Sequence, residues 1–263
     1  MKIKFITLNI LNGKFLDKCR EFLKKESPDI FVLQEVYKGG NISGENRYRS
    51  FEAIRAEFKD YFYFFTPEFY KIIDGSKVDE ANVIFSRFPL FNQTSIYYSN
   101  SYGERRVENP EQFINTARNL QYVQIEIGNK IINVFNTHGV WGTDGKDNEE
   151  RLKMSKVICG KVKGLDNVIL AGDFNIDPDT RTIKNMETYL KNIFKGELQT
   201  TFNMKVKTPI VKKLSFFDEN DLKGFSKAVV DMIFVSPDIE VIDHYCPKVD
   251  VSDHFPLVAV FEV

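Results

Sequence analysis

Several residue types that commonly carry chemistry are scarce in this chain. Its 263 residues include three histidines, three cysteines and one tryptophan. Cys19, Cys159 and Cys246 are far apart and lack the spacing of a metal site or a redox pair, which argues against a cysteine-based metal or disulfide framework. We therefore expect three buried free thiols in a protein from a reduced compartment.

Long apolar runs and an excess of charge are also missing. No apolar run approaches the length of about 18 residues that a membrane helix needs. The first predicted strand begins at Lys2 and leaves no room for a signal peptide, so we expect a cytoplasmic, monomeric protein without a membrane span. The 36 basic and 37 acidic residues give a net charge of −1, which weakens the case for strong nonspecific nucleic-acid binding. A short substrate, however, needs few phosphate contacts.

Apolar segments of strand length alternate with amphipathic helical segments, which predicts an α/β or α+β fold in one domain over residues 1–263. The spacing of apolar residues predicts helices over 14–25, 51–58, 147–163 and 180–189. Two polar segments, 100–111 and 204–227, are predicted to be long loops at a functional rim. Their basic residues, Arg105-Arg106 and the lysines between 205 and 213, are interpreted as solvated loop faces.

Polar residues whose side chains can take part in catalysis or bind a metal follow several of the predicted strands. The clearest group comes after the run 167–172, where Gly172 permits a close backbone approach. Asp173 and Asn175 are two residues apart there and should share one face of an extended segment. The adjacent pair Asp253-His254 precedes an apolar run at 257–261 and is expected on a loop at the mouth of the last strand. The other strand-end residues are Asn9, Gln34-Glu35, Ser86-Arg87 and Asn136-Thr137-His138.

One carboxylate falls inside an apolar strand. Asp231 lies in the run Val229-Val230-Asp231-Met232-Ile233-Phe234-Val235, and burying it costs several kcal/mol unless it is paired or hydrogen-bonded. We predict a hydrogen bond of about 3 Å between Asp231 and the ring of His254.

Taken in chain order, these motifs resemble the endonuclease/exonuclease/phosphatase superfamily, the group similar to deoxyribonuclease I. The motifs are Leu8-Asn9-Ile10, Gln34-Glu35-Val36, Ser86-Arg87-Phe88-Pro89, Asn136-Thr137-His138, Gly172-Asp173-Phe174-Asn175, Asp231-Met232-Ile233-Phe234 and Ser252-Asp253-His254. The resemblance implies a four-layer α/β sandwich with two central mixed β-sheets flanked by helices. It also implies hydrolysis of a phosphate ester with Mg²⁺, or Mn²⁺ in its place, at the edge shared by the sheets.

The resemblance assigns a role to each residue. Glu35 would be the principal metal ligand, and Asn9 and Asp253 would complete or support the metal site. Asp173 would orient and deprotonate the attacking water. Four further residues would act on the phosphoryl group or on its partners. Asn175 and His138 would contact phosphate oxygens, and His254, held by Asp231, would donate a hydrogen bond or proton. Glu80 is a candidate partner of His138, with a plain surface glutamate as the alternative, and Trp141 would either line the cleft or pack.

The substrate is left open, because one fold supports many chemistries. A phosphodiester in nucleic acid or in a nucleotide-like ester ranks first. The alternatives are a phosphatase or phospholipid phosphodiesterase of the same superfamily and, third, a non-catalytic binding module. Histidine at position 138, where the abasic-site endonucleases usually carry tyrosine, makes a repair endonuclease the less favoured nuclease.

Overall fold

The structure is a computed structural model that describes residues 1–39, 45–105, 110–142, 144–214 and 217–263, without the side chains of residues 110–112. Within these ranges, twelve strands form two six-stranded mixed sheets. The strands are β1 (Lys2–Asn9), β2 (Ile30–Gly39), β3 (Phe62–Ile73), β4 (Ser76–Ser86), β5 (Leu90–Tyr97), β6 (Asn119–Ile127), β7 (Lys130–His138), β8 (Val168–Asp173), β9 (Lys191–Asn192), β10 (Asp231–Val235), β11 (Glu240–Tyr245) and β12 (Leu257–Glu262).

Each sheet has a parallel pair near its centre and antiparallel strands outside it. Sheet one has the order β11-β12-β1-β2-β4-β3, and β1 and β2 are its parallel pair. Sheet two has the order β5-β6-β7-β8-β10-β9, and β7 and β8 are parallel. The expected architecture of two central mixed sheets is confirmed.

The sheets face each other across a shared apolar core, and helices cover their outer faces. Side chains of β1 alternate, so that Phe5 packs in the core between the sheets and Ile6 packs against the outer helices. Helices α1 (Leu16–Glu26) and α2 (Ser50–Glu57) cover sheet one. Helices α3 (Glu149–Val162) and α4 (Arg181–Met186) cover sheet two. The result is the expected four-layer sandwich.

Most predicted helices are confirmed, and one predicted loop is wrong. The helices expected at 14–25, 51–58 and 147–163 are present with slightly shifted ends, and the one at 180–189 is shorter. Segment 204–227, predicted to be a loop, contains α5 (Met204–Val211) and α6 (Glu219–Phe225). Of segment 100–111, residues 106–109, including Arg106, lie outside the described residues.

Two further expectations are tested by the described residues. Only Cys19 is buried, whereas Cys159 and Cys246 are half-buried, so the expectation of three buried thiols is wrong for two of them; all three are free. Among the described helices, none is both long and apolar enough to cross a membrane.

Candidate active site

The register of the strands brings the predicted residues to one edge of the sandwich. Asn9 ends β1 beside Gln34 of β2, and His138 ends β7 beside Asp173, the last residue of β8. Because β10 is antiparallel to β8, its first residue, Asp231, lies opposite Asp173. The loop that carries Asp253 and His254 enters β12, which is antiparallel to β1, and so lies at the same edge.

Glu35 reaches the site through an irregularity in its strand. Its backbone is left-handed, with φ 57°, and the pairing of β2 with β4 shifts register between Leu33 and Val36. A bulge of this kind re-aims a side chain and often lies next to an active site. Burial and the nearby Glu80 carboxylate raise the pKa of Glu35. The site therefore concentrates negative charge around Glu35.

Asn9 joins the carboxylates of the two sheets. Its amide Nδ2 donates to Oε1 of Glu35 and to Oδ2 of Asp173, both at 3.1 Å. Its Oδ1 accepts from the backbone N–H of Leu11 at 3.0 Å. In this orientation Asn9 positions both carboxylates through its N–H groups.

Asp173 and Asn175 are held by a turn, so the expectation of a shared face on an extended segment is wrong. The strand ends at Asp173, and Asn175 has a left-handed φ of 54°. Its backbone N–H donates to Oδ1 of Asp173 at 2.9 Å, and its side chain donates to the carbonyl of Gly139 at 3.2 Å. Gly172 permits this arrangement, because a Cβ there would lie 1.9 Å from the carbonyl oxygen of Thr137.

The predicted contact between Asp231 and His254 is confirmed. Nδ1 of His254 lies 2.8 Å from Oδ2 of Asp231, and Nε2 lies 3.9 Å from Oδ2 of Asp173. The ring of Phe202 packs edge-on against the imidazole, with 4.6 Å between centroids. Burial alone would lower the pKa of His254, but the carboxylates of Asp231, Asp253 and Asp173 raise it to about 9. The imidazole is thus held as a cation that faces Asp173.

His138 has a partner that the sequence did not identify. Its Nδ1 lies 3.1 Å from Oε2 of Glu68, a fully buried residue that also accepts from Nη1 of Arg118 at 2.6 Å. Nε2 of His138 lies 3.7 Å from Oδ2 of Asp173. Burial and Arg118 oppose protonation, but Glu68 and Asp173 outweigh them and raise the pKa of His138.

Glu80 is neither the partner of His138 nor a surface glutamate. It is buried and pairs with Nζ of Lys71 at 2.9 Å and, more weakly, with Nη1 of Arg118 at 3.9 Å. Burial would raise its pKa, but Lys71, Arg105 and Arg118 lower the pKa of Glu80 to about 2. It belongs to a buried ionic cluster next to Glu35.

Lys207 of α5 is the second missed residue of the site. Its Nζ lies 2.8 Å from Oδ2 of Asp253 and 4.3 Å from the centroid of the Phe202 ring. Burial opposes ionisation of Asp253, but Lys207 and then His254 lower the pKa of that carboxyl. The view of this basic segment as a solvated face is therefore wrong for Lys207, although Lys205, Lys212 and Lys213 are exposed.

Most of these residues line a cavity of about 610 Å³, whereas Asn9, Glu68 and Asp231 lie behind its lining. Its polar lining includes Glu35, His138, Asp173, Asn175, Asp253 and His254. Trp141 lines the cavity and packs against Phe113, with 4.9 Å between centroids, so both interpretations of this residue hold. The apolar wall consists of Phe113, Trp141, Phe202, Ile210, Val211, Leu214, Phe217 and Phe225.

Arg151, on α3, holds the loop that carries Trp141. Its fully buried side chain donates to the carbonyls of Val140 at 3.1 Å, Gly142 at 3.2 Å and Asn175 at 2.5 Å. The same guanidinium therefore ties the Trp141 loop to the turn after Asp173.

Two groups of donors could attract a cation. In one, ligand atoms of Asp173, Asp231 and His254 lie within 4.8 Å of one another. There, a hydrogen bond to Asp231 occupies Nδ1 of His254, so the imidazole could offer only Nε2 to a cation. The other group, Glu35 and Asp253, offers carboxylate oxygens, which suit a hard cation. Asn9, predicted as a third ligand, turns its N–H groups toward Glu35.

Comparison with known proteins agrees with this geometry. A family model described as "Endonuclease/Exonuclease/phosphatase family" matches residues 6–254. The chain belongs to the endonuclease/exonuclease/phosphatase family. Members of this family are hydrolases that act on phosphoester bonds and generally use divalent metal ions. A search of the curated proteins gives no match.

Three solved structures of the endonuclease/exonuclease/phosphatase family illustrate the similarity. A family protein from Leptotrichia buccalis has a TM-score of 0.70 and 18% identity, covering 99% of this chain and 100% of that chain. A mannosyl-6-phosphatase from Bacteroides thetaiotaomicron has a TM-score of 0.67 and 16% identity, with coverages of 99% and 100%. TDP2 from D. rerio, complexed with a single-strand DNA product, has a TM-score of 0.67 and 17% identity, with coverages of 100% and 99%. At these identities the similarity establishes the fold.

Proposed function

We propose that residues 1–263 form one catalytic domain that hydrolyses a phosphodiester with Mg²⁺, and that the substrate is nucleic acid or a nucleotide-like ester. The observation that carries the proposal is the meeting of Asp173 with two imidazoles, each held by its own carboxylate. A general base beside two hydrogen-bond donors suits attack of water on a phosphate. Cytoplasmic location and a monomeric state stay predictions.

Glu35 would hold the cation, with Asp253 beside it. Asn9 would fix Glu35 through its amide N–H, since its Oδ1 is engaged by Leu11. When bound, a divalent cation would polarise the phosphoryl oxygens and offset the charge concentrated around Glu35. Mn²⁺ should substitute for Mg²⁺, because both accept oxygen ligands.

Residues of the protein would carry out proton transfer and bind the phosphate oxygens. Oδ2 of Asp173 would accept the proton of the water whose oxygen attacks phosphorus, while the bond from phosphorus to the leaving oxygen breaks. His254, oriented by Asp231, would donate from Nε2 to the phosphoryl group as negative charge builds. His138, oriented by Glu68, would donate from Nε2 to a nonbridging oxygen. Asn175 has two amide N–H groups, of which one bonds Gly139 and the other would hold a phosphate oxygen.

A phosphomonoesterase is the second candidate, and its support is the size of the cavity. A volume of about 610 Å³ is that of a pocket for a compact ligand. Among proteins with the same fold, one is a mannosyl-6-phosphatase and another is complexed with single-strand DNA product, so the fold accommodates both types of substrate.

The experiment compares two substrates with one leaving group, bis(p-nitrophenyl) phosphate and p-nitrophenyl phosphate. The wild type should hydrolyse the diester faster in Mg²⁺ or Mn²⁺ and hydrolyse neither in chelator. Asp173→Asn keeps the shape and removes the base, so turnover should fall by roughly 10²-fold or more. Asp177→Asn is the matched control, because Asp177 lines the same cavity but pairs with Lys146 at 3.4 Å.

Each outcome has a distinct meaning when thermal melts show that the variants are folded. Faster hydrolysis of the monoester would favour the phosphatase. Full activity in chelator would refute the metal-dependent mechanism. A wild type that hydrolyses neither ester, nor single-stranded DNA, RNA, an inositol phosphate or sphingomyelin, would support the binding module instead. An equal loss in both aspartate variants would remove the specific role of Asp173.

A further inference from the structure

One arginine of the cavity has no place in the mechanism above. The guanidinium of Arg105 contacts two aromatic rings, 4.9 Å from the centroid of Phe69 and 4.5 Å from that of Phe113. Its backbone N–H donates to the carbonyl of Tyr70 at 2.8 Å, and Gly103 accepts from the N–H of Tyr70 at 2.9 Å. Arg105 lines the cavity. The two ring contacts and the backbone hydrogen bond restrict the orientation of the planar group.

Buried donors point to a missing acceptor near this group. Nε of Arg105 is buried and has no hydrogen-bond partner among the described residues, and the same is true of Nε of Arg118. A buried donor left unpaired costs about 1–3 kcal/mol. Arg118 also lines the cavity, so an anion there would face two guanidinium groups.

The need to neutralise Glu80 does not by itself explain why Arg105 is placed in this cluster. Glu80 already has a direct ion pair with Lys71 at 2.9 Å, and Arg118 bonds Glu68 at 2.6 Å. The described cluster thus holds as many carboxylates as cations: Glu35, Glu68 and Glu80 beside Lys71, Arg105 and Arg118. Among the described residues, Arg105 is the cation of this cluster that has no direct ion pair with a carboxylate.

We propose that Arg105, supported by Arg118, binds a second phosphate group of the substrate, so that the preferred substrate is a nucleotide-like ester with two phosphates. The inference rests on the proposed function, which places the phosphate to be cleaved at Asp173. A guanidinium matches the geometry of phosphate with paired N–H groups, and each charge-assisted hydrogen bond of this kind contributes about 1.5–3 kcal/mol. Arg105 is a specificity residue in this scheme.

The test measures binding of two probes that differ by one phosphate, thymidine 3′,5′-bisphosphate and thymidine 5′-monophosphate. Titration calorimetry is done with Ca²⁺ in place of Mg²⁺, and chromatography afterwards verifies that the probes are intact. The wild type should bind the bisphosphate roughly tenfold more tightly. Arg105→Gln should reduce that preference to about twofold or less, and Arg105→Lys, which keeps charge without the planar fork, should retain part of it.

Arg87→Gln is the matched control. Arg87 also stacks on an aromatic ring, 5.6 Å from the centroid of Tyr61, and pairs with Asp29, but it does not line the cavity. The preference of the Arg87→Gln variant for the bisphosphate should equal that of the wild type. Equal binding of the two probes by the wild type, or a preference that survives Arg105→Gln, would overturn the inference.

Hydrolysis of bis(p-nitrophenyl) phosphate separates this inference from the proposed function. Active protein without a preference for the bisphosphate would refute the second phosphate site alone. Inactive protein with a preference that depends on Arg105 would support the anion site and count against the proposed hydrolysis. If Arg105→Gln does not fold, the same comparison is made with Arg105→Lys, for which an unchanged preference is the contrary result.

Discussion

Glu68 orients His138, although it lies in none of the predicted motifs. It is fully buried and contacts Nδ1 of His138 at 3.1 Å and Nη1 of Arg118 at 2.6 Å. A carboxylate on one ring nitrogen fixes the orientation of the imidazole and leaves the other nitrogen to face the site. Glu68 is therefore a positioning residue for the reaction that we propose.

Glu68→Gln should lower kcat by about tenfold with little change in KM, because His138 loses the carboxylate that orients and charges it. The variant should also be less stable by roughly 3 kcal/mol, since Arg118 loses a buried partner. Hydrolysis of bis(p-nitrophenyl) phosphate and urea unfolding give the two quantities.

Glu80→Gln is the control for a purely structural effect. Glu80 is also buried near Arg118, at 3.9 Å, but its direct partner is Lys71. The Glu80→Gln variant should be less stable than the wild type and should keep kcat within about twofold of the wild-type value. If both variants lose stability and kcat in parallel, Glu68 has only a structural role.

The sequence could not reveal Glu68, for a reason that is visible in its strand. The pairing of β3 with β4 shifts register between Pro67 and Phe69, which places Glu68 in a bulge. A bulge breaks the alternation of faces from which a side chain's direction is predicted. Pro67 inside an apolar strand was the available signal, because proline in a sheet is confined to edges and bulges.

At the scale of elements, α5 brings a cation to the site from a segment predicted to be a loop. Lys207 lies 2.8 Å from Asp253, whereas Lys205, on the same helix, pairs with Asp250 outside the cavity. Pro209 lies inside α5, and proline in a helix interior usually argues against a helix, so the pattern favoured a loop. In α6 the capping box of Asp218 and Asp221 was a readable start signal.

Lys207→Met should tighten the binding of Mn²⁺ to metal-free protein by roughly fivefold to thirtyfold. The lysine removed is a positive charge beside Asp253, and a charge at about 5 Å from a dication in a watery site repels it by about 1–2 kcal/mol. Titration calorimetry measures this without turnover.

Lys205→Met on the same helix provides the comparison, and its affinity for Mn²⁺ should match that of the wild type within about twofold. Tighter binding in both variants would indicate a general charge effect. Weaker binding in Lys207→Met would mean that Lys207 organises the carboxylate for the cation and does not compete with it.

At the scale of the molecule, the site exists only where the two sheets meet. Asn9 of sheet one bonds Asp173 of sheet two at 3.1 Å, and below it Gln34 bonds Asn136 at 2.7 Å. The strands that carry these residues were predictable from apolar runs, and their order was implied by the family resemblance. The polar contacts between sheets depend on register and bulges, which no local pattern encodes.

Two groups of residues differ in how far the sequence alone predicts their contacts. Asp231 and His254 could be paired from the sequence, because a carboxylate in an apolar strand requires a partner. Arg105 and Arg118 could not be assigned, because arginines in polar segments have the composition of solvated loops.

The ionic cluster that joins the sheets should make the stability of the whole molecule depend on pH. The pKa of Glu80 falls from its ordinary 4.5 to about 2 in the folded protein. Between these values the unfolded chain binds the proton and the folded chain does not, so stability falls as the pH falls. The contribution of Glu80 is complete above pH 4.5 and is lost as the pH approaches 2.

We expect the difference in the free energy of unfolding between wild type and Glu80→Gln to shrink by about 2 kcal/mol as the pH falls from 4.5 to 3, since one pKa unit corresponds to about 1.4 kcal/mol. Urea unfolding at closely spaced pH values from 7 to 3 measures the difference. Above pH 5 it should be constant, because the carboxyl is then ionised in both states of the wild type. Glu262→Gln is the control, since Glu262 pairs with the N-terminus at an exposed position. Its effect should be small at every pH. A difference for Glu80→Gln that stays flat down to pH 3 would mean that the cations around Glu80 do not hold its charge.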